Sequence, residues 1–205
     1  MTTPHDKPFS PSCDRNRAPI LEVLRAQFER RRQVLEIGSG TGQHAMHFAA
    51  AMPWLRWQTS ERDAYLPGIA AWLDEAALPN TPAPVALDVT QPDWPVSTAT
   101  DGRFDAVFTA NTLHIMGWPE VEACFAGLGR VLADDATLVV YGPFNVGGTY
   151  TSDSNRDFDG WLKARDPLSG IRDLEAVDAL ALRIGLRLHD DVAMPSNNRC
   201  LVWQR

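Results

Sequence analysis

Three glycines alternate with small polar residues directly after a short apolar run. Gly38, Gly40 and Gly42 follow the run that ends at Ile37, with Ser39 between the first two glycines. Because glycine has no Cβ, such a turn can take a tight path and lets a ligand approach main-chain N–H groups. The helix that follows presents further free N–H groups at its N-terminus. The turn therefore predicts the centre of a site for a nucleotide-like ligand.

Acidic residues near three strand ends would complete this site. Glu36 stands just before the glycines, where its carboxylate would attract an ammonium group directly or through water. Glu61, with Asp63 as the alternative, follows the second strand where an acid can accept hydrogen bonds from ribose. Asp88 would accept a hydrogen bond from an adenine amino group, while Val89 packs beside the ring. Ammonium, ribose and adenine together indicate S-adenosylmethionine (SAM) as the cofactor.

A nicotinamide dinucleotide is the competing cofactor. Its GxGxxG fingerprint requires a third glycine where this chain has Gln43, because the spacing here is GxGxG. A nicotinamide cofactor also lacks the ammonium group that Glu36 would attract. The sequence therefore disfavours a nicotinamide-dependent oxidoreductase.

Two residues that follow the fourth predicted strand are candidates for chemistry. Asn111 and His114 are expected at the cleft beside the methionine end of the cofactor. Methyl transfer requires alignment and exclusion of water, and a general base is optional. His114 is the predicted base, although a histidine here can also pack on the sheet and bond a backbone carbonyl. Arg17 could grip a carboxylate of cofactor or substrate, and Asn16 could either contact a ligand or simply cap the first helix.

The polar segment 142–172 is predicted to form a substrate lid. It is rich in Gly, Ser, Thr and Asn and follows the fifth strand at the same sheet edge as the cleft. Helix capping and surface ion pairs are the alternative roles for its polar side chains. Two aromatic residues that follow strands are also expected to border the substrate. The predicted substrate contacts are Trp118, Phe144, Ser154, Asn155 and Arg172.

Candidate strands and helices alternate along most of the chain. Apolar runs with strand character occupy residues 34–37, 55–59, 85–89, 104–109 and 137–141. Because helical patterns separate these runs, the order predicts an α/β fold with a parallel sheet and helices on both faces. Two final strand candidates flank a turn-rich link and suit an antiparallel hairpin; they span 186–193 and 200–203.

A single domain over residues 1–205 is expected from the chain length. Within it, residues 1–18 are predicted to form a loose N-terminal segment. The first helix is predicted to start with Pro19 in its first turn.

Composition limits the partners and the compartment. The formal net charge of −7 argues against a nucleic-acid substrate, because nucleic-acid binders usually need a basic face. Three widely spaced cysteines without metal-ligand spacing predict no metal site and fit a reduced, cytoplasmic protein. No apolar run approaches the length of a membrane span, so no membrane association is expected.

The segment Val34–Gly42 resembles the first motif of class I SAM-dependent methyltransferases. The element order is also similar to their Rossmann-like, seven-stranded sheet, which is mostly parallel with an antiparallel last strand. A narrower resemblance is to the methyltransferase-like protein 26 family, also called the domain-of-unknown-function 938 family. The motifs that carry this narrower resemblance are Ser12–Arg17, Gly142–Phe144, Thr151–Asn155, Gly170–Asp173 and Asn197–Asn198.

The resemblance implies SAM as methyl donor and S-adenosylhomocysteine (SAH) as product. It implies cofactor-binding roles at matched positions for Glu36, Gly38, Gly40, Glu61 and Asp88. One departure from the pattern is the Ser60-Glu61 pair, which stands where Ser-Asp is more usual, yet the longer acid can still reach ribose.

The hypothesis is a methyltransferase with an unidentified substrate, a small molecule or protein side chain in preference to nucleic acid. The alternative is a noncatalytic protein that binds SAM or a partner, because a fold alone does not establish activity.

Overall fold

The computed structural model describes residues 7–96 and 103–205. The strands are β1 Gln33–Ile37, β2 Arg56–Glu61, β3 Val85–Ala86, β4 Phe104–Ala110, β5 Leu132–Gly142, β6 Phe144–Asn145, β7 Arg172–Asp173, β8 Arg187–Met194 and β9 Asn198–Gln204. The helices are α1 Pro11–Gln27, α2 Gln43–Ala51, α3 Leu66–Ala76, α4 Trp118–Val131, α5 Asp153–Arg165 and α6 Leu174–Arg183. Short 3₁₀ turns occupy Asp63–Tyr65 and Pro195–Asn197.

Seven strands form one sheet in the order β3-β2-β1-β4-β5-β9-β8. The first five of these strands run parallel, and β9 is antiparallel to both β5 and β8. The predicted fold class, a mostly parallel seven-stranded sheet with an antiparallel last strand, is confirmed. The small parallel pair β6–β7 lies outside this sheet and was not predicted.

Both faces of the sheet are buried by helices. Along β5, Leu138 and Val140 belong to the core on the side of α4 and α6, whereas Val139 and Tyr141 belong to the core on the side of α1 to α3. Side chains of a strand alternate between its two faces, so a strand covered on both sides becomes a continuous apolar run. This burial on both faces explains why the central strands could be recognised from sequence.

The start of the first helix was predicted wrongly. The helix α1 begins at Pro11, after an extended Ser10, and Pro19 lies inside it. Proline is favoured in a first helical turn and costly in a helix interior. The sequence therefore favoured a helix that starts near Pro19 over one that starts at Pro11 and contains Pro19. Residues 11–18 are therefore helical rather than loose, whereas residues 1–6 of the predicted loose segment lie outside the described residues.

The predicted lid contains more regular structure than its composition indicated. Residues 142–172 include β6 and the thirteen-residue helix α5, which begins at Asp153. Ser152 caps this helix, because its hydroxyl accepts a hydrogen bond of 3.1 Å from the N–H of Asn155. Whether this segment moves when a ligand binds stays a prediction. Within residues 7–96 and 103–205, no helix is long and apolar enough to cross a bilayer.

Candidate functional site

A cavity of about 1840 Å³ opens at the carboxyl ends of the parallel strands. Its lining includes the last residues of β1, β2 and β4, which are Ile37, Glu61 and Ala110. Ligands of doubly wound sheets bind at this edge, where the strand order reverses between β1 and β4. The cavity is also larger than the ~300–1,000 Å³ typical of a single-ligand pocket. The volume is sufficient for two ligands side by side.

The glycine turn lies in the wall of this cavity. Gly38, Gly40 and Gly42 have φ values of 72°, 56° and 88°, in the left-handed region where a side chain is unfavourable. The N–H groups of Gly38 and Ser39 both donate to the carbonyl of Ser60 at 3.1 Å. Gly38, Ser39 and Gly40 line the cavity, and a Cβ added at Gly40 would meet no atom within 4 Å. The backbone is therefore open to a ligand at Gly40.

Gly42 has a different role from the other two glycines. It lies against α3, where an added Cβ would come within 3.1 Å of the Ile69 backbone. Gly42 is not among the residues that line the cavity. The third glycine therefore allows α2 and α3 to pack closely.

Glu61 is the acid that the structure brings to the turn. Its Oε2 accepts a hydrogen bond of 3.1 Å from the N–H of Gly40, and its Oε1 accepts one of 2.8 Å from the N–H of Arg62. The carboxylate lines the cavity beside the open backbone. Asp63, the alternative, is exposed and does not line it.

Glu36 is buried beneath the turn and does not line the cavity. Its Oε2 accepts hydrogen bonds from the Ser39 hydroxyl and the Trp57 indole N–H, both at 3.0 Å. Burial raises the pKa of Glu36 to about 7, against the opposing effect of these two donors. Its carboxylate therefore stabilises the turn through Ser39 and does not contact the space where a ligand would bind.

Of the two cofactor contacts predicted after β3, only one lies at the cavity. Val89 is buried and lines the cavity together with Leu87. Asp88 is exposed and does not line it. The Oδ1 of Asp88 accepts hydrogen bonds from the N–H and hydroxyl of Thr90, which lower the pKa of this carboxyl. Asp88 here stabilises a turn, because β3 ends at Ala86, earlier than the sequence indicated.

Asn111 and His114 both line the cavity after β4. Asn111 has a positive φ of 57°, and its N–H donates to the carbonyl of Tyr141 at 2.9 Å. His114 is 6% exposed, and its ring packs edge-on against Phe158 at 5.3 Å between centroids. Burial, followed by the charge of Arg172, lowers the pKa of His114 to about 4. The imidazole is therefore neutral near pH 7.

A polar cluster lies on the same side of the cavity as α1, and of its members the sequence indicated only Asn16 as a possible ligand contact. Asn16 Oδ1 and His44 Nε2 are 2.7 Å apart, and the Tyr141 hydroxyl also hydrogen-bonds Asn16. All three residues are buried and line the cavity. Burial lowers the pKa of His44 to about 4. Tyr141 could have been anticipated, because it lies near the carboxyl end of β5, at the ligand-binding edge of the sheet.

Arg17 is not part of this cluster. It forms an ion pair of 2.9 Å with Asp14 on the surface of α1 and does not line the cavity. Arg15, two positions earlier, does line it.

The residues that precede α1 lie at one edge of the cavity. The Lys7 ammonium lies 2.6 Å from a carboxylate oxygen of Glu75 and 3.6 Å above the Trp72 ring. The Trp72 indole N–H donates to the carbonyl of Pro8 at 2.7 Å. Lys7 and Pro8 line the cavity. This part of the chain is therefore attached to α3.

The predicted substrate contacts are only partly brought together. Ser154 and Asn155 line the cavity, and both bond Asn197: its side-chain amide donates to Ser154 Oγ at 3.0 Å, and its carbonyl accepts from Asn155 at 3.1 Å. Phe144 is buried in the core and Trp118 packs against it, and neither lines the cavity.

Arg172 also lies outside the cavity lining. Its guanidinium donates to the carbonyls of Leu113 at 3.0 Å and Leu168 at 2.9 Å, and to that of Met116. Arg172 therefore holds the segment after β4, which carries His114, against the end of the lid.

The sequence profile of a family described as "Protein of unknown function (DUF938)" matches residues 7–205. The chain belongs to the DUF938 family. This confirms the resemblance to the domain-of-unknown-function 938 family, whereas the name methyltransferase-like protein 26 stays a resemblance only.

Solved structures share the fold of this DUF938 member. An O-methyltransferase family protein from Burkholderia thailandensis is 14% identical with a TM-score of 0.78, over 92% of this chain and 55% of that one. The SAM-dependent methyltransferase SibL, in its apo form, is 19% identical with a TM-score of 0.77, over 95% and 55%. CalO1, a methyltransferase in calicheamicin biosynthesis solved with SAH bound, is 17% identical with a TM-score of 0.70, over 91% and 53%.

The chain spans about half the length of these proteins. At these identities the likeness shows the fold, which is that of class I SAM-dependent methyltransferases.

Replacing Glu36 with glutamine should change how stability depends on pH. A carboxyl group whose pKa is raised on folding contributes stability below its unfolded pKa, and this contribution is lost as pH rises through the folded pKa, here about 7. The free energy of unfolding of Glu36→Gln relative to wild type should therefore increase by about 3 kcal/mol between pH 4.5 and 8. Urea denaturation across this range measures it. The control is Glu29→Gln at an exposed position. If the difference in unfolding free energy from wild type were independent of pH for both variants, the raised pKa of Glu36 would be contradicted.

Alanine substitutions in the turn should separate backbone strain from steric overlap. Both Gly38→Ala and Gly40→Ala place a side chain at positive φ, at a cost of about 1–2 kcal/mol. Only at Gly38 would the new Cβ also lie 2.6 Å from Thr112 Oγ1, which should cost about 1–3 kcal/mol more. Adding Thr112→Ala to Gly38→Ala should recover this extra loss in a double-mutant cycle of unfolding free energies. Equal losses for the two single variants, with no coupling, would refute the steric argument.

Proposed function

We propose that this protein is a SAM-dependent methyltransferase that acts on a small molecule. The observation that carries the proposal is the meeting of the Gly40 backbone and the Glu61 carboxylate at the wall of a cavity with room for two ligands. The shared fold of solved SAM-dependent methyltransferases, one of them with SAH bound, supports this choice of cofactor.

The residues of the cleft fit the chemical groups of SAM. Glu61 offers a carboxylate to the ribose hydroxyls, and the open backbone at Gly40 admits a close approach. Leu87 and Val89 supply an apolar surface for the adenine ring. The cluster of Asn16, His44 and Tyr141, with Arg15 beside it, offers hydrogen-bonding groups and a positive charge to the amino-acid end.

Bound SAM would supply the methyl group on its sulfonium, which leaves the chain to align the acceptor and exclude water. His114 is the candidate proton acceptor, because its ring lines the cavity and is neutral at physiological pH. Its low pKa makes His114 a weak base. It is therefore suited to an acceptor group that is itself acidic enough to lose its proton readily. Asn111, which has a positive φ, lines the same cleft three residues before His114.

The formal net charge of −7 disfavours nucleic acid as the acceptor. A noncatalytic SAM-binding protein is the second candidate. The low pKa of His114 favours it, because the candidate proton acceptor of the cleft is then a weak base.

Isothermal titration with SAM and SAH tests the proposal. Wild type should bind both, and Glu61→Ala should weaken binding by at least about tenfold, since two charge-assisted hydrogen bonds to ribose are lost. Asp63→Ala, which removes an exposed acid two positions away, is the matched control and should leave the affinity within about twofold.

Absence of binding by wild type, or tighter binding of NADH than of SAM, would overturn the proposal. Binding without methyl transfer to any compound in a broad metabolite pool would favour the noncatalytic candidate.

A further inference from the structure

We propose that the outer half of the cleft binds a flat aromatic ring, so that the methyl acceptor is a small aromatic molecule. This inference rests on the proposed function and names its substrate class. The helix α5 carries the main observation.

One face of α5 is turned towards the cavity. Ser154, Phe158, Trp161, Leu162 and Arg165 line it at helical spacing, so they share one side of the helix. Trp161 is 53% exposed although it is the largest side chain of this face. Phe158, Trp161 and Leu162 are therefore the apolar side chains that α5 presents to the cavity.

The rings on this face form a continuous aromatic wall. Phe158 and Trp161 are stacked, with centroids 5.8 Å apart and planes inclined by 17°. His114, deeper in the cavity, meets Phe158 edge-on. The wall therefore leads from the opening to the residue that we assign as proton acceptor. A planar ring can stack against such a wall or meet its edges, and both arrangements are favourable for aromatic pairs.

Two aliphatic side chains border the same opening. Ile115 is 59% exposed and Leu168 is 65% exposed, and both line the cavity. Exposed apolar side chains gathered at one place mark a binding surface, since their exposure to water is unfavourable. These residues extend the apolar surface that a ring would contact.

The charges at the opening do not select a charged ligand. Arg165 and Asp166 both line it and have opposite signs. Arg165 lies over the Trp161 ring at 4.7 Å and forms no ion pair with the described residues, 7–96 and 103–205. Its guanidinium is therefore free to move from the indole onto a bound ring. Aromatic shape, rather than charge, is the selective feature of this part of the cleft.

The depth of the wall favours a small molecule over a protein partner. His114 and Leu162 line the cavity although they are buried, so a small molecule inside the cavity can contact them. A protein surface would contact the exposed rim formed by Trp161, Ile115 and Leu168 and leave the inner part empty.

The experiment compares 2-naphthol with its saturated analogue decahydro-2-naphthol. Both have a similar size and a hydroxyl group, but only 2-naphthol is flat and aromatic. Each is titrated by calorimetry into wild type, Trp161→Leu and Trp54→Leu, with and without saturating SAH. Trp54, 39% exposed and outside the cavity lining, is the matched control, and thermal melting checks that each variant is folded.

Wild type should bind 2-naphthol at least about tenfold more tightly than the saturated analogue. Trp161→Leu should weaken 2-naphthol binding by about fivefold, whereas Trp54→Leu should not change it and neither variant should change the affinity for SAH.

Equal binding of the two probes, or no effect of Trp161→Leu, would overturn the inference. Absence of 2-naphthol binding at about 1 mM would also overturn it. The exposed rim would then be interpreted as a contact surface for a protein partner. Because SAH is titrated separately, failure to bind SAH would reject the proposed function, while the result with 2-naphthol would still decide whether the aromatic wall is a binding site.

Discussion

The arrangement of the cleft depends on the carbonyl of Ser60, which accepts hydrogen bonds from the N–H groups of both Gly38 and Ser39. These bonds continue the parallel pairing of β1 and β2 past the end of β1, where Ile37 pairs with Ser60. They fix the turn against the end of β2, and the next residue, Glu61, therefore meets the backbone of Gly40. Positive φ at the glycines is the condition for this path, since other residues adopt it only at a cost.

The outer part of the cleft depends on a second group of polar contacts. Asp159 is buried on α5, and its carboxylate accepts hydrogen bonds of 2.7 Å from the N–H of Ile171 and the hydroxyl of Tyr150. Lys163 lies 2.6 Å from the same carboxylate. Together with Arg172, these contacts connect α5, the start of the lid and its end. A segment rich in turn-forming residues therefore positions an aromatic face beside the strand ends.

The sequence was sufficient for features that follow from repeated local patterns. Burial on both faces made the central strands visible, and the glycine spacing located the cleft. The exact uses of side chains were harder to predict, because they depend on where a strand ends and on distant partners. Asp88 accepts a hydrogen bond from Thr90 within a turn. Glu36 accepts one from Trp57, which is 21 residues away in the sequence. His44 contacts Asn16 of α1, which is 28 residues away in the sequence.

The most direct test of this account is a crystal structure of the protein with SAH. We predict that the ribose hydroxyls lie within hydrogen-bonding distance of Glu61, that the ligand passes over Gly40, and that adenine contacts Val89. SAH bound elsewhere, or in this cleft without contact to Glu61 and the glycine turn, would contradict the assignment of the cofactor site.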